Sequence, residues 1–418
     1  MLDISFIREN PEKVKQAMKD RGVVADIALI LETDKVYRNK LRGVEELRAE
    51  LNALSKKIAQ VSQDEREESI KEGKRVKEQL AVREEEAKEL ENHVQALLVQ
   101  LPNIPHEEVP AGGEENNRVL RQIGEKPAFD FPPKDHLTLG EKLGLIDIER
   151  AAKVAGSRFA YLTHDAVLLE FALVRFVLDA AVREGFVPIL PPVLIRAEMM
   201  QKMGYVDTPE DLAERYYLEK EGMFLVGTAE QAVGPMHAGE IFHEKELPKR
   251  YAAFSSCFRE EAGSYGKDTK GILRVHQFDK VELVSFAHPE RSWEEHQFLL
   301  QFEEKLWQQL GIPYQVVQLA AGDMSRPSAS TLDIEAWLPG QERYREVSSC
   351  SNTTDYQARR LNIRYRGKEG TRFVHMLNAT GFPIGRTIIA ILENYQQKDG
   401  SIRIPEVLQG FMGKESIA

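Results

Sequence analysis

The sequence predicts an α+β fold: an antiparallel sheet flanked by helices, preceded by an N-terminal arm of two antiparallel helices in a coiled coil. Three observations carry this. Between about Asp34 and Leu101, apolar residues recur at steps of three and four, with Arg, Lys and Glu between them. Directly after Leu101 a Pro- and Gly-rich run, PNIPHEEVPAGGEENN, stops the pattern. Beyond about Pro133, β-like runs follow one another at hairpin distance, and the helices do not strictly alternate with them.

A chain of 418 residues is long for a single core, so two domains are expected. The boundaries read as an N-terminal domain over 1–110 with its arm at about 34–101, a linker over 111–135, and a second domain over 136–418. The composition is that of an ordinary soluble globular protein, and no apolar run approaches a membrane span. The opening MLDISFIRENPEKVK is charged from its third residue and lacks an apolar leader stretch, which argues against secretion. The two cysteines, Cys257 and Cys350, lie far apart and outside any CxxC pair. That fits reduced thiols in a cytoplasmic protein and argues against a disulfide framework or a Cys-based zinc site. No HExxH or EF-hand pattern occurs. A formal net charge of −11 does not favour nucleic acid as a partner, but phosphate contacts need a local basic patch rather than a basic total.

Within the arm, Tyr37, Leu41, Val44, Leu47, Leu51, Leu54, Ile58 and Val61 mark the first seam. After a polar break at Ser62–Ser69, Ile70, Val76, Leu80, Ala87, Leu90, Val94, Leu97 and Leu101 mark the second. The break reads as a turn that folds one helix back on the other, and ~35 residues of helix reach about 50 Å. Taken alone, such a hairpin is a dimerisation element or spacer. Arg38, Lys40, Arg42, Arg48, Lys56 and Lys57 on its first helix offer contacts to phosphates, although exposed helix faces carry Lys and Arg in any case.

In the second domain a helix is expected with Leu168, Phe171, Val174 and Val177 on one side, followed by a proline-broken strand, GFVPILPPVLI. Further strands read at Phe224–Val226, Tyr251–Phe258 and Ile272–Phe286. The last two belong to the stretch CFREEAGSYGKDTKGILRVHQFDKVE, Cys257 to Glu282. Strand alternation places Arg259 and Glu261 on one face with Glu260 opposed, and His276, Phe278, Lys280 and Glu282 on one face of the return. A guanidinium, carboxylates and a ring are the parts that hold a phosphate, an amine and a flat base. A surface hairpin with cross-strand ion pairs competes with that reading. A phosphate-binding Walker loop is excluded, because Asp268 follows Gly266-Lys267 and no glycine stands five residues before Gly266.

Two more segments bear on the chemistry. LNATGFPIGRTIIAILENYQ, Leu377 to Gln396, reads as a Gly-rich turn into an amphipathic helix with Arg386 near its start. That suits an anion site, and it equally suits an arginine capping a buried carboxylate. RYREVSSCSN, Arg343 to Asn352, reads as a strand whose Glu346 and Ser349 suit a hard cation such as Mg²⁺, although E-x-x-S alone carries little weight.

In this order the segments resemble the seryl-tRNA synthetases, a family of class II aminoacyl-tRNA synthetases, nearly end to end. GFVPILPP looks like class II motif 1, CFREEAGSYGKDTKGILRVHQFDKVE like motif 2 and GFPIGRTIIAILENYQ like motif 3. More particular to the seryl enzymes are Thr228-Ala229-Glu230, the REVSSCSNTTDYQARR run, and the opening MLDISFIRENPEKVKQAM that leads into the arm. The resemblance implies a class II synthetase-type sheet and a serine–tRNA ligase. Such an enzyme activates L-serine with ATP to seryl-adenylate and passes the seryl group to the 3′ end of serine tRNA; whether selenocysteine tRNA is charged too stays open.

The same resemblance implies roles for residues. Arg259 would bind the α-phosphate and the serine carboxylate, Arg386 the γ-phosphate, and Glu261 and Phe278 the adenine. Glu346 and Ser349 would hold ATP and its Mg²⁺, with Glu260, Val275, Val347 and Ser348 completing the ATP site. Thr228, Ala229, Glu230 and Glu282 would receive serine and its ammonium group, and Asn378 and Thr380 its side chain. Arg259, Arg386 and Glu346 are the expected catalytic residues. His276 is not assigned as a base, since the serine carboxylate is already a nucleophile and needs alignment and charge neutralisation instead. Lys267 and Lys270 are expected to meet the incoming tRNA end. The arm would grip the long variable arm and elbow of a tRNA whose end enters the other subunit of a homodimer in the cytoplasm.

Arg326, Pro327 and Ser330, Gln231 after the Thr-Ala-Glu run, and Ala379 between Asn378 and Thr380 depart from the family's usual residues. Two other readings compete: a paralogue that loads a carrier protein, and a non-catalytic coiled-coil interaction protein. The arm argues against the first, and the presence of Arg259, Glu282, Glu346 and Arg386 against the second.

Overall fold

The computed structural model describes residues 1–58, 62–262 and 271–418. The chain forms two compact units, one of residues 2–19 and 23–102, the other of residues 1, 20–22 and 103–418.

The first unit is helical: α1 (Ile4–Glu9), α2 (Pro11–Asp20), α3 (Ile27–Ile58) and α4 (Gln63–Val99). α3 begins before the expected Asp34, because the Asp26 carboxylate accepts from Leu29 N at 2.9 Å and Ile27 and Ile30 are buried. The polar run expected as a turn is largely the start of α4, where the Glu65 carboxylate accepts from the Ser62 amide at 3.4 Å and its hydroxyl at 2.9 Å. A polar sequence is no bar to helix when the face it makes is solvated. Val44, Leu80 and Ala87 form a seam with Tyr37, Leu47 and Leu51, flanked by the ion pairs Lys40–Glu86 at 2.6 Å and Arg48–Glu84 at 2.7 Å. Ile70, expected in that seam, is 39% exposed, while Ser69 is buried. The buried positions of α4 recur by sevens, 69 and 76, then 80, 87 and 94, and Ser69 keeps that register where Ile70 does not. Val61 lies outside the described residues.

The second unit is built on an eight-stranded sheet. Its strands are β1 (Arg118–Ile123), β2 (Val187–Ile189), β3 (Lys249–Phe258), β4 (Gln277–Ala287), β5 (Tyr314–Gln318), β6 (Ser330–Leu338), β7 (Arg343–Asn352) and β8 (His375–Pro383). Their spatial order is β1-β5-β6-β7-β8-β4-β3-β2, antiparallel throughout except for β2 beside β3. One face carries Val281, Leu283, Leu332, Cys350, Leu377 and Ala379 into a core with α5 (Asp165–Arg183), α6 (Ser292–Leu310) and α7 (Ile384–Asn394). Period-two alternation then turns Lys280, Glu282, Asn378 and Thr380 to the opposite face. At Gly381 the β8 backbone passes so close to α5 that a Cβ would lie 2.9 Å from Val177 Cγ1, so only glycine fits.

Four expectations are corrected here. The stretch 111–135 is more than a linker: β1 is an edge strand on β5, and Arg121 grips Glu304 of α6 at 3.0 and 2.6 Å. The outgoing strand of the hairpin stops at Phe258 and the return begins at Gln277, not Ile272. The stretch before Arg386 is no turn; β8 runs to Pro383 and α7 starts at Ile384. On α5, Val174 and Val177 are buried, but Leu168 and Phe171 are 52% and 62% exposed, because this helix is apolar on more than its core side. No helix among the described residues is long and apolar enough to cross a membrane.

Candidate active site

A single cleft lies over the polar face of β4, β7 and β8. It is lined by Thr228, Glu230, Arg259, Glu261, Val275, Phe278, Glu282, Glu346, Val347, Ser348, Ser349, Asn378, Thr380 and Arg386. Residues separated by up to 158 positions are thus brought together by sheet order, and three local devices set their aim.

The first is the closure of the hairpin beyond β3. Arg259 N donates to His276 O at 3.0 Å, and His276 Nδ1 lies 2.9 Å from Arg259 O. That fixes Arg259 against the return strand, where its Nε donates to Gly227 O at 3.2 Å and its guanidinium sits 5.2 Å from the centre of the Phe278 ring. The second is Glu261. With the strand ended, alternation no longer carries it to the side of Arg259; a left-handed turn with φ of 54° does, and Arg274 Nη1 holds its carboxylate at 2.5 Å. The third is a bulge in β7. Ser348 pairs with Ile334 but Glu346 pairs with Glu335, leaving Val347 over. Glu346 and Ser349, three apart, therefore come to one side of a strand that would otherwise separate them.

At one end of the cleft two carboxyl groups are buried. Glu230 accepts from the Tyr205 hydroxyl at 2.7 Å and from Gln357 Nε2 at 2.9 Å, and Glu282 forms an ion pair with Lys280. Burial pushes both carboxyls up from their ordinary values; Gln357 and Tyr205 offset part of this at Glu230, and Lys280 part of it at Glu282. An ammonium group placed between them would favour their charged forms. Below them Glu303 of α6 is fully buried, with Oε1 accepting from Thr380 N at 2.7 Å and Oε2 without a hydrogen-bond partner.

At the other end Arg386, in the first turn of α7, donates from Nη1 to Glu346 O at 2.9 Å and lies 3.3 Å from Glu346 Oε1. Desolvation pushes the Glu346 carboxyl up, but Arg386 and then Arg259 outweigh it and hold the group below its ordinary value. Glu346 is an anion with half its side chain exposed, beside a hydroxyl at Ser349. Among the described residues no group of three or more His, Cys, Asp or Glu gathers into a metal cage. A hard cation that takes most of its ligands from phosphate oxygens and water fits such a sparse oxygen set.

Two expected residues are not brought in. Ala229 is fully buried in an apolar cluster with Val233 and Phe286. Glu260 lies outside the cleft lining, its amide donating to Glu214 O at 3.2 Å, because the chain has already left the strand. Lys267 and Lys270 lie outside the described residues. The cleft also takes in Tyr205, Arg215, Arg274, Lys280 and Ser325, which motif reading did not assign. Lys280 was visible as the alternation partner of Phe278 and Glu282, whereas Tyr205 and Arg215 stand in a segment with no pattern of its own. The unusual Gln231 also has a use: its Oε1 accepts from Gly227 N at 2.7 Å. Arg326 and Pro327 meet Asn103 through their carbonyls, at 2.8 and 2.9 Å, so those hydrogen bonds do not depend on which side chains stand there.

Comparison with known proteins gives matches over the whole length of the chain. The seryl-tRNA synthetase N-terminal domain family matches residues 1–105, and the tRNA synthetase class II core domain (G, H, P, S and T) matches residues 216–395. A serine–tRNA ligase of Thermodesulfovibrio yellowstonii is 46% identical over 425 aligned positions, covering all of both chains. The crystal structure of seryl-tRNA synthetase from Pyrococcus horikoshii complexed with ATP superimposes with a TM-score of 0.93 at 41% identity, covering 100% of this chain and 99% of that one. The cytoplasmic serine–tRNA ligase of Naegleria fowleri in complex with AMP follows with a TM-score of 0.88 at 35% identity, covering 100% of this chain and 98% of that one.

Proposed function

Because the chain belongs to the seryl-tRNA synthetase family, we infer that its cleft joins L-serine to ATP and passes the seryl group on to tRNA. It is an aminoacyl-tRNA ligase. In the first step a serine carboxylate oxygen attacks the α-phosphorus, the bond to the bridging oxygen breaks, and pyrophosphate leaves with that electron pair. In the second, a hydroxyl of the tRNA's terminal ribose attacks the acyl carbon and AMP departs.

The residues divide the work along the cleft. Glu230 and Glu282, with Thr228, take the ammonium group, and Arg259 takes the carboxylate and the α-phosphate. Phe278 and Glu261 face the adenine, and Arg386 the γ-phosphate. Glu346 and Ser349 would hold Mg²⁺, which would supply charge neutralisation to the phosphates. Thr380 hydrogen-bonds the serine hydroxyl, with Asn378 beside it. A site that pairs with a hydroxyl rejects the analogue lacking it by a factor on the order of 10⁴, so alanine is excluded by lost pairing and threonine by shape.

One observation carries the reading: Arg259 stands between two buried carboxyls and the Arg386–Glu346 pair in one cleft. Arg259→Ala is expected to lower serine-dependent pyrophosphate exchange by about 10³-fold with the fold intact. Near-normal exchange would remove the assignment. Run across serine, threonine, alanine and glycine, the same assay checks the amino acid.

Three further assignments belong to this reading. The arm binds serine tRNA, for which the exposed Arg42, Lys56 and Lys57 have no ion-pair partner among the described residues. The chain works as a homodimer, supported by the exposed apolar side chains of Leu168, Phe171, Val182, Val187 and Leu190. It is cytoplasmic, in keeping with the two buried free thiols of Cys257 and Cys350.

A further inference from the structure

Arg215 is used by nothing above. It follows the short helix Pro209–Ala213, and its guanidinium reaches the amino-acid end of the cleft, beside Gly227, Thr228 and Glu230. A Cβ built on Gly227 would lie 3.1 Å from Arg215 Nη1 and 3.6 Å from Arg259 Cγ, so a bare glycine backbone is all that separates the two arginines. Arg215 Cζ is 5.6 Å from the centre of the Tyr205 ring, and that tyrosine donates to Glu230. Its Nε is buried with no hydrogen-bond partner, and no carboxylate among the described residues forms an ion pair with it. Burial, and after it the charge of Arg259, depresses the Arg215 guanidinium. Two part-buried cations beside one glycine, one of them with an unmet buried donor, form an arrangement that an anion completes.

We propose that Arg215 binds the α-carboxylate of the amino-acid substrate, closing with Arg259 a two-arginine clamp around Gly227. The proposal rests on the reading above, in which Glu230 and Glu282 receive the ammonium group. Arg215 stands over Tyr205, the partner of Glu230, whereas Arg259 is the arginine beside the Phe278 ring, and this selects the carboxylate over the nucleotide's phosphates. With one carboxylate oxygen held by both guanidiniums, the other is left facing the α-phosphorus, which is the alignment the first step requires. A side chain at position 227 would have to move Arg215 Nη1 by a few tenths of an ångström, so glycine there suits the clamp.

The test uses the full-length enzyme and L-serinamide, which keeps the ammonium and hydroxyl groups of serine and lacks the carboxylate. Three quantities are measured in pyrophosphate exchange for wild type, Arg215→Met and Arg215→Lys: KM for serine, KM for ATP, and Ki for serinamide as a competitor of serine. Arg215→Met is expected to raise the serine KM about 10- to 100-fold, the size of a lost charge-assisted hydrogen bond. The serinamide Ki and the ATP KM are expected to stay within about threefold, since neither ligand loses that bond. Arg215→Lys keeps the charge without the fork and is expected to lie between, which preserves the test should the Met protein not fold. Equal losses for serine and serinamide, or an unchanged serine KM, overturn the proposal. A rise in ATP KM alone also overturns it, by moving the anion to the phosphate. Absence of serine-dependent exchange in the wild type would instead defeat the underlying reading.

Discussion

Glu303 puts a carboxyl group where water does not reach, under the strand that carries Thr380. One oxygen accepts from Thr380 N at 2.7 Å and the other has no hydrogen-bond partner. Burial, the largest cause, drives this carboxyl well above its ordinary value. The native protein therefore keeps a proton that the unfolded chain gives up once pH passes the ordinary glutamate value. Stability drawn from this site falls as pH rises from there toward the native value. Glu303→Gln keeps the acceptor for Thr380 N and cannot ionise. Its Tm relative to wild type is expected to climb between pH 5 and pH 8, read by thermal unfolding at several pH values; a flat difference would mean that Glu303 titrates alike in both states. Glu303→Ala, by contrast, leaves a cavity and an orphaned amide and is expected to cost about 2–4 kcal/mol.

The elements differ in how far the sequence revealed them. The seam of α3 and α4 follows from apolar period except at Ile70, and RYREVSSCSN and the return through Glu282 are strands as expected, the latter only from Gln277. What period could not supply is where regularity stops. Glu261 joins the cleft through a left-handed residue beyond the strand, and Glu346 meets Ser349 through a bulge at Val347. Both are one-residue events that leave no trace in alternation. β1 shows no alternation although three of its six residues are apolar, because Val119 and Leu120 are both exposed on this edge strand and only Ile123 packs against the core. Tyr205 and Arg215 are near the cleft through tertiary contact alone. For the arm, local pairing decides the prediction. Arg38, Lys40 and Arg48 already meet Asp34, Glu86 and Glu84, at 3.0, 2.6 and 2.7 Å, whereas Arg42, Lys56 and Lys57 face solvent. Replacing those last three by alanine is expected to weaken tRNA binding and reduce the slope of log affinity against log salt by about 1 for each phosphate no longer neutralised. Filter binding across a salt series measures it, with adenylate formation unchanged; an unaltered slope would assign the tRNA to another surface.

For the molecule as a whole, the exposed side of α5 and the adjoining β2 need a cover. Leu168, Phe171 and Val182 fall within about 60° of one another on the helix at 3.6 residues per turn. They are 52%, 62% and 51% exposed, and Val187 and Leu190 beside the outermost strand are 55% and 77% exposed. Polar relief on that face is limited to Arg175 and Asp179, which pair with each other at 2.8 Å. An apolar face on α5 next to an edge strand is the surface that the proposed homodimer would bury across a two-fold axis, since the same patch would meet itself there. The patch also borders the catalytic cleft. Phe171 and Glu170 share a hollow with Phe278 and Asp279, where burial, aided by the hydrogen bond that protonated Glu170 donates to Asp279, pushes the Glu170 carboxyl up to about 8. Phe278 is the ring on which adenine is proposed to rest, so a partner pressed on Phe171 steadies the start of β4. Phe171→Asp with Leu190→Asp is therefore expected to give a monomer by sedimentation velocity and to raise the KM for ATP about tenfold, a loss of roughly 1.4 kcal/mol. The serine KM should change less, because Glu230, Glu282 and Arg215 lie at the far end of the cleft. A double variant that remained dimeric would move the interface elsewhere. A monomer with an unchanged ATP KM would keep the interface and sever its link to the adenine wall.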